Sequence, residues 1–167
     1  MSGCDTHLRQ TLLSPVTDMA GKRLQEYFVK RAVMNLSHPV VPLIGRLLMM
    51  YIFATSGIAK TFDWSGNIAY MSTRHLPFTP LLLAAALVIE VGGSLCLITG
   101  FWARWAAAIL FVYLLLVTVL FHNYWAFSGM AAGMQETHFR KNLAIMGGLL
   151  MLAAYGPGRW AVARHEQ

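Results

Sequence analysis

The stretch LVIEVGGSLCL, residues 87–97, decides the fold of this chain. Ten of its eleven residues are apolar, small or weakly polar, and the exception is Glu90, which has no charged neighbour within a dozen positions on either side. Glu90 lies ten residues from each end of a longer apolar segment, residues 80–100, and so about 15 Å of helical rise from each end. A bilayer core is about 30 Å thick. The stretch therefore predicts a membrane-spanning helix with an ionisable residue near its middle.

The composition of the whole chain places it among membrane proteins. Of its 167 residues, 57% are hydrophobic and only 12% are charged, whereas about 25% of the residues are charged in soluble domains. The formal net charge of +6 could indicate a nucleic-acid partner. However, the basic residues cluster beside apolar segments, where lipid headgroups and membrane topology explain them. We therefore expect the lipid bilayer, and no nucleic acid, as a partner.

Four apolar segments indicate an all-α fold, an integral membrane four-helix bundle. They occupy residues 40–62, 79–100, 102–121 and 139–156, and about 20 helical residues are needed to cross a bilayer. The second and third segments are joined by almost nothing, which predicts an antiparallel hairpin. The fourth has an uncharged run of only 13 residues, 143–155, so its helix is expected to begin earlier, near Gln135, with Arg140 and Lys141 reaching outward. The loop before it, residues 122–135, is expected to be interfacial or re-entrant.

The two ends of the chain differ in character from the bundle, residues 39–160. Residues 1–38 are mixed and polar with apolar residues at loose helical spacing, which fits an N-terminal interfacial helix or a partly ordered tail. Residues 161–167 form a short polar tail. If the N-terminus is cytoplasmic, nine basic side chains fall on the cytoplasmic side and four on the other. This asymmetry predicts that both termini are cytoplasmic.

The motifs of soluble enzymes are not found in the sequence. Cys4 and Cys96 lie far apart, one in the polar N-terminus and one within an apolar segment, which argues against a disulfide framework and against a Cys-x-x-Cys redox pair. There is also no glycine-rich phosphate loop, zinc-type spacing or serine nucleophile motif. We therefore predict no catalytic residues for the chain on its own.

Glu90 is predicted to face the interior of the bundle, because a charge at the bilayer centre costs on the order of 3 kcal/mol. Residues about one helical turn away include Ala86, Gly93 and Ser94, whose small side chains let a second helix approach closely. The expected partner is Arg46, which lies only about 8 Å of helical rise from the middle of the first span. A guanidinium side chain covers most of that distance.

Lys60 lies 14 residues after Arg46, nearly four helical turns, so the two share a face that also carries Gly57. Because Lys60 is nearer the outer surface, it is expected to pair with Glu136 or Asp63, or to reach the headgroups. Two interpretations of these interior charges stay open. They form either a structural pair that fixes which helices pack together, or a site that handles a ligand or protons.

His122 and His138 lie at the outer ends of the third and fourth segments, with Glu136 nearby. They could face each other across the mouth of the bundle as metal or haem ligands. Their separation of 16 residues matches no known ligand spacing. We therefore predict ordinary interfacial histidines and no metal site.

Several stretches of the chain resemble, in order and in spacing, the DoxX family of small bacterial membrane proteins. They are GRLLMMYIFATSGIAKTF (45–62), LP (76–77), IEVGGSLCLITGFWARWAA (89–107), HFRKNLAIMGGLL (138–150) and GPGR (156–159). The resemblance implies a four-helix bundle in the bacterial inner membrane. The family's characteristic polar and glycine positions fall on Arg46, Ser56, Gly57, Lys60, Glu90 and Asn142. Residues 1–38 and the final AVARHEQ depart from the family pattern.

The resemblance implies a function only in outline. The family takes its name from a subunit of a thiosulfate:quinone oxidoreductase, so we expect a small accessory subunit of a quinone-linked or other redox membrane complex, with a polar interior that holds a quinone, a lipid or a partner helix. No cofactor site is evident in the sequence, although a quinone is possible. One alternative is an oligomeric transporter or binding protein, entered between His122, Glu136 and Lys60. Another is a purely structural assembly subunit.

Overall fold

The structure, a computed structural model, describes residues 21–31 and 38–162. The chain divides into two compact units, Met1–Val41 and Pro42–Gln167. In the first unit, residues 21–31 form helix α1, and every side chain of these residues is exposed. A helix was predicted in this region, while its position at the membrane interface stays a prediction. The rest of the 1–38 segment, apart from residue 38, and most of the 161–167 tail lie outside the described residues.

The remaining elements are helical, and no strand occurs within residues 38–162. They are α2 (Val40–Phe62), α3 (Trp64–Ser72), α4 (Thr79–Thr99), α5 (Ala103–Phe121), a 3-10 turn (Tyr124–Ala126) and α6 (Gly129–Tyr155). Among the described residues, α2, α4 and the stretch Ala103–Ala126 are long and apolar enough to cross a membrane. The predicted all-α membrane bundle is confirmed. Crossing by α6 is not shown and stays a prediction.

Two helical boundaries differ from the sequence-based expectation. Helix α6 begins at Gly129 rather than near Gln135, so the second half of the predicted interfacial loop forms its first turns. Helix α3 was not predicted, although Asp63 accepts a hydrogen bond from the Gly66 amide at 3.2 Å. A short acidic side chain bonded to an amide three residues later is a common start of a helix.

Helices α4 and α5 form the predicted antiparallel hairpin. The link between them consists of three residues, and both Gly100 and Trp102 adopt a left-handed backbone conformation, with φ of 77° and 50°. Gly93 lies against the Leu110 side chain, where a Cβ atom would approach Leu110 Cδ1 to 2.8 Å. Glycine at this position therefore allows the two helices to pack closely.

The apolar core of the second unit lies between α2, α4, α5 and α6. Its buried side chains are Phe53, Leu97, Ala107, Leu110, Leu114, Ile145, Met146 and Leu149. Helix α2 joins this core through close contacts at small residues of its neighbours, such as Gly148, which lies against the Met49 side chain. Apolar side chains gain little by moving from lipid tails into the bundle interior, so helices in a membrane associate through close packing of this kind instead.

Three arginines bind the carbonyl groups at the ends of helices. Arg46 donates to Leu97 O at 3.3 Å, Arg74 donates to Phe121 O at 3.2 Å, and Arg104 donates to Ala154 O at 3.2 Å. The last carbonyls of a helix have no partner within the helix, and a positive charge is favourable at this end. The arginines therefore act as caps for α4, α5 and α6.

Arg46 makes a second contact that holds the chain after α6. It is 1% exposed, and its other terminal nitrogen donates to Trp160 O. Close by, the Val162 amide donates to Thr99 O at 3.0 Å. The chain that follows α6 is thereby fixed against the end of α4.

Replacing Arg46 by methionine is expected to lower the free energy of unfolding by about 1–3 kcal/mol, because the carbonyls of Leu97, a fully buried residue, and of Trp160 lose their donor. Arg104→Met is the matched control, since it removes one hydrogen bond at a half-buried position and should cost less. Thermal unfolding of both variants in a mild detergent, followed by circular dichroism, makes the comparison. An equal loss in the two variants would contradict the larger contribution expected of Arg46.

Candidate functional site

Four polar side chains meet inside the bundle and are called here the Glu90 cluster: Ser56, Lys60, Glu90 and Tyr113. Glu90 is 3% exposed and accepts from Lys60 Nζ at 2.9 Å on each carboxylate oxygen. Its Oε1 atom also accepts from Ser56 Oγ at 3.1 Å and from Tyr113 Oη at 2.7 Å. Lys60 Nζ donates in addition to Ser56 Oγ at 2.6 Å. The cluster thus joins α2, α4 and α5 through one buried carboxylate.

The local sequence explains how α2 contributes to the cluster. Ser56 and Lys60 are four residues apart and therefore lie on one face of the helix. Gly57 lies next to them, where a Cβ atom would approach Val91 Cγ2 to 3.0 Å and Glu90 Cβ to 3.5 Å. Glycine at this position lets α2 approach α4 closely enough for the side chains on either side to reach Glu90.

The prediction that Arg46 pairs with Glu90 is wrong. Gly57 lies opposite Glu90, but Gly57 is five residues from the end of α2 and Glu90 is eleven residues from the start of α4. Helix α4 therefore extends about 9 Å beyond α2 on this side. Arg46 lies a further eleven residues back along α2, about 16 Å from the level of Glu90. The sequence-based expectation had placed the midpoints of the two helices at one depth.

The predicted partners of Lys60 are also wrong. Lys60 pairs with Glu90, whereas Asp63 starts α3 and Glu136 accepts from Arg140 at 2.6 Å. The flexible side chain of Lys60 extends from the last turn of α2 back toward the interior, because its ammonium group is attracted to the buried carboxylate of Glu90. The interior charge is thus neutralised by the nearer of the two cations on this face of α2.

A cavity of about 800 Å³ lies beside the Glu90 cluster, and all four members of the cluster line it. Most other lining side chains are apolar and come from α2, α3, α4, α5 and α6. The further polar or ionisable residues in its wall include Asn67, Tyr70, His122, Lys141 and Asn142. Small-molecule sites commonly have volumes of about 300–1,000 Å³ with apolar walls and a few placed polar groups. The cavity has the size and character of such a site.

Asn142 lies in the cavity wall but does not join the Glu90 cluster. It is buried, and its Nδ2 atom donates to Thr118 Oγ1 at 2.9 Å. Thr118 Oγ1 in turn donates to Leu114 O at 2.6 Å. Of the residues predicted for the interior site, the structure therefore brings Ser56, Gly57, Lys60 and Glu90 together, places Asn142 nearby and places Arg46 elsewhere.

The predicted meeting of His122 and His138 is observed at the end of α5. Their rings stack with centroids 5.1 Å apart, and His122 Nδ1 lies 2.8 Å from Gln135 Oε1. Residues 21–31 and 38–162 contain no group of three or more His, Cys, Asp or Glu residues that could hold a metal ion.

Two lining residues were missed or misplaced by the sequence analysis. Tyr113 was not singled out, although a tyrosine in the middle of an apolar span needs a hydrogen-bond partner for its hydroxyl. Lys141 was expected to reach outward and is exposed, but the sequence analysis did not predict that it lines the cavity. The first could have been found from its depth in the span, whereas the second depends on the rotation of α6, which its sequence leaves open.

The sequence model of the DoxX family matches residues 41–123, which include all four members of the Glu90 cluster. Inner membrane protein YphA of Escherichia coli is 34% identical over 128 residues, which are 77% of this chain and 91% of that protein. Inner membrane protein YqjF of the same organism is 35% identical over 122 residues, which are 73% of this chain and 88% of that protein. No solved structure matches the chain.

Replacing Lys60 alone by methionine is expected to lower the free energy of unfolding by about 3 kcal/mol, because it leaves the Glu90 carboxylate buried without a cation. The double change Lys60→Met and Glu90→Leu should recover most of that loss, since replacing both members of a buried pair by apolar residues is often nearly neutral. Thermal unfolding of both single variants and the double variant in detergent gives the coupling. Strictly additive losses would contradict the pair.

Proposed function

The chain belongs to the DoxX family of membrane proteins, and from this premise we propose that it is an accessory subunit that binds a small amphipathic molecule inside the membrane. The molecule occupies the cavity beside the Glu90 cluster. Its partner is a membrane complex of the quinone-linked or another redox type. In this proposal the chain contributes a binding site, and the partner contributes the electron-transfer centre.

The observation that carries the proposal is the combination of an apolar cavity and one polar wall. Lys60 and Tyr113 are only half-buried and line the cavity, so their N–H and O–H groups can be shared with an acceptor on a ligand. Aliphatic and aromatic side chains form most of the remaining wall and suit an apolar body. A quinone, with carbonyl acceptors on a flat apolar ring, has this character, and so does a lipid-like molecule.

The chemistry available at the cluster is proton sharing rather than electron transfer. Lys60, Glu90 and Tyr113 form a continuous set of hydrogen bonds, along which a proton can be held or passed to a bound acceptor. Hydrogen-bonded networks of ionisable groups within membrane spans commonly serve ligand or proton pathways. The redox partner is supported by the family resemblance alone.

The two other functions predicted from the sequence have less support. A transporter entered between Lys60, His122 and Glu136 would use a wall that contains only the first two, because Glu136 pairs with Arg140 and does not line the cavity. A purely structural subunit would need the Glu90 cluster only to join α2, α4 and α5. That reading leaves the cavity of about 800 Å³ without a role.

The purified chain in detergent is expected to bind a short-chain quinone such as decylubiquinone saturably, which would raise its melting temperature. Tyr113→Phe should weaken binding by about two- to tenfold, because one hydrogen bond contributes about 0.5–1.5 kcal/mol. Tyr155→Phe is the matched control, since Tyr155 is exposed and does not line the cavity. Absence of saturable binding, or equal weakening by both changes, would overturn the proposed site.

We also propose four crossings with both termini in the cytoplasm, which requires α6 to cross. The native Cys4 reports the N-terminus once Cys96 is replaced by alanine, and Glu166→Cys in a variant that lacks both native cysteines reports the C-terminus. A membrane-impermeant thiol reagent should label each cysteine in inside-out vesicles and neither in right-side-out vesicles. Labelling on opposite sides would show an odd number of crossings and would overturn the fourth span.

A further inference from the structure

We propose that the cavity selects an anionic amphiphile, a molecule with one negatively charged head and an unbranched apolar body, and that Lys141 pairs with the head. The inference rests on the proposed function, because it specifies the class of ligand that the same cavity takes. It goes beyond that function in assigning a charge to the ligand and a binding role to Lys141.

The cavity wall contains both acidic and basic side chains. The residues that line it include one carboxylate, Glu90, and two lysines, Lys60 and Lys141. The carboxylate is already paired with Lys60 at 2.9 Å. No carboxylate within residues 21–31 or 38–162 forms an ion pair with Lys141. The wall therefore keeps one positive charge that nothing in the described chain neutralises.

The position of Lys141 along the cavity follows from the contact made by the next residue on α6. Lys141 precedes Asn142, which is bonded to Thr118 on α5, whereas the Glu90 cluster is bonded to Tyr113 on the same helix. Thr118 is five residues closer to the end of α5, which corresponds to about 7.5 Å of helical rise. Lys141 therefore lies toward the end of the bundle at which α5 stops, and the cluster lies deeper.

The cavity wall between the level of Lys141 and the level of the Glu90 cluster is apolar. Ile89, Leu114, Val117 and Ile145 are all apolar and all line the cavity. A ligand that reaches from Lys141 toward the Glu90 cluster therefore meets aliphatic side chains along its length. This arrangement fits a chain of methylene groups with a charged end, since apolar area removed from water or interface contributes roughly 25 cal/mol per Å².

Arg140, the residue before Lys141 on α6, has different contacts. Arg140 donates to Glu136 at 2.6 Å and does not line the cavity. Two adjacent basic residues on α6 therefore differ in role: one has a carboxylate partner on its own helix, and the other faces the cavity. A substitution of Arg140 changes the net charge of the region equally and leaves the cavity wall unchanged.

The test compares dodecanoate with dodecanol, which have equal chain length and differ in charge. Each is titrated against the chain in nanodiscs of phosphatidylcholine by displacement of a spin-labelled fatty acid. The unaltered chain is expected to prefer the carboxylate about tenfold. Lys141→Gln should reduce the preference to less than threefold, Lys141→Arg should restore it, and Arg140→Gln should leave it unchanged.

The outcomes separate this inference from the function on which it rests. Equal binding of both probes, or a preference that Lys141→Gln leaves intact, would overturn the anionic ligand while the amphiphile site stands. Binding of neither probe, in a chain that still binds decylubiquinone, would overturn the anionic ligand alone, whereas a chain with a normal melting temperature that binds none of the three molecules would overturn both. Repeating the titration with phosphatidylglycerol in the nanodisc identifies the source: competition that depends on Lys141 indicates a phospholipid head, and its absence indicates a free acid.

Discussion

The ion pair between Lys60 and Glu90 is the interaction on which the arrangement of the helices depends. A carboxylate in a helix that crosses lipid has to be matched or neutralised, because its isolated charge is costly there. The match fixes the register of α2 on α4, since only a position near the end of α2 brings Lys60 to Glu90. Tyr113 then ties α5 to the same carboxylate. One residue in an apolar span therefore constrains three helices.

Three arginines of the bundle serve the ends of helices rather than their middles. Arg46, Arg74 and Arg104 each donate to a carbonyl in the last turn of a different helix. Guanidinium groups suit this task because they offer several donors in a fixed plane. Lysine and arginine are thus divided by role within the bundle: a lysine neutralises the interior acid, and arginines satisfy the backbone where helices stop.

The sequence alone predicted the features that depend on the depth of a residue in its span and on the spacing of apolar residues. The α4 and α5 hairpin and the inward face of Glu90 follow from apolar lengths, glycine positions and the cost of a charge in lipid. The partner of Glu90 did not follow, because α2 and α4 differ in how far they extend at the end of the bundle where α3 connects them. The place of Lys141 in the cavity wall was equally inaccessible, since a rotation of α6 by a few tens of degrees exchanges it for its neighbours.

The completeness of the Glu90 cluster limits what the cavity can do. Each of the two carboxylate oxygens already accepts from Lys60, and Oε1 accepts from Ser56 and Tyr113 as well. A ligand at this wall therefore gains little from the carboxylate and shares donors that are already engaged, so its polar contacts there are weak. The larger contributions to affinity come from the apolar wall and from whichever polar group has no partner. In the described chain the charged group of this kind is Lys141. It lies at the end of the cavity rather than at its deepest point, so the ligand's head and its apolar body are bound by different parts of the bundle.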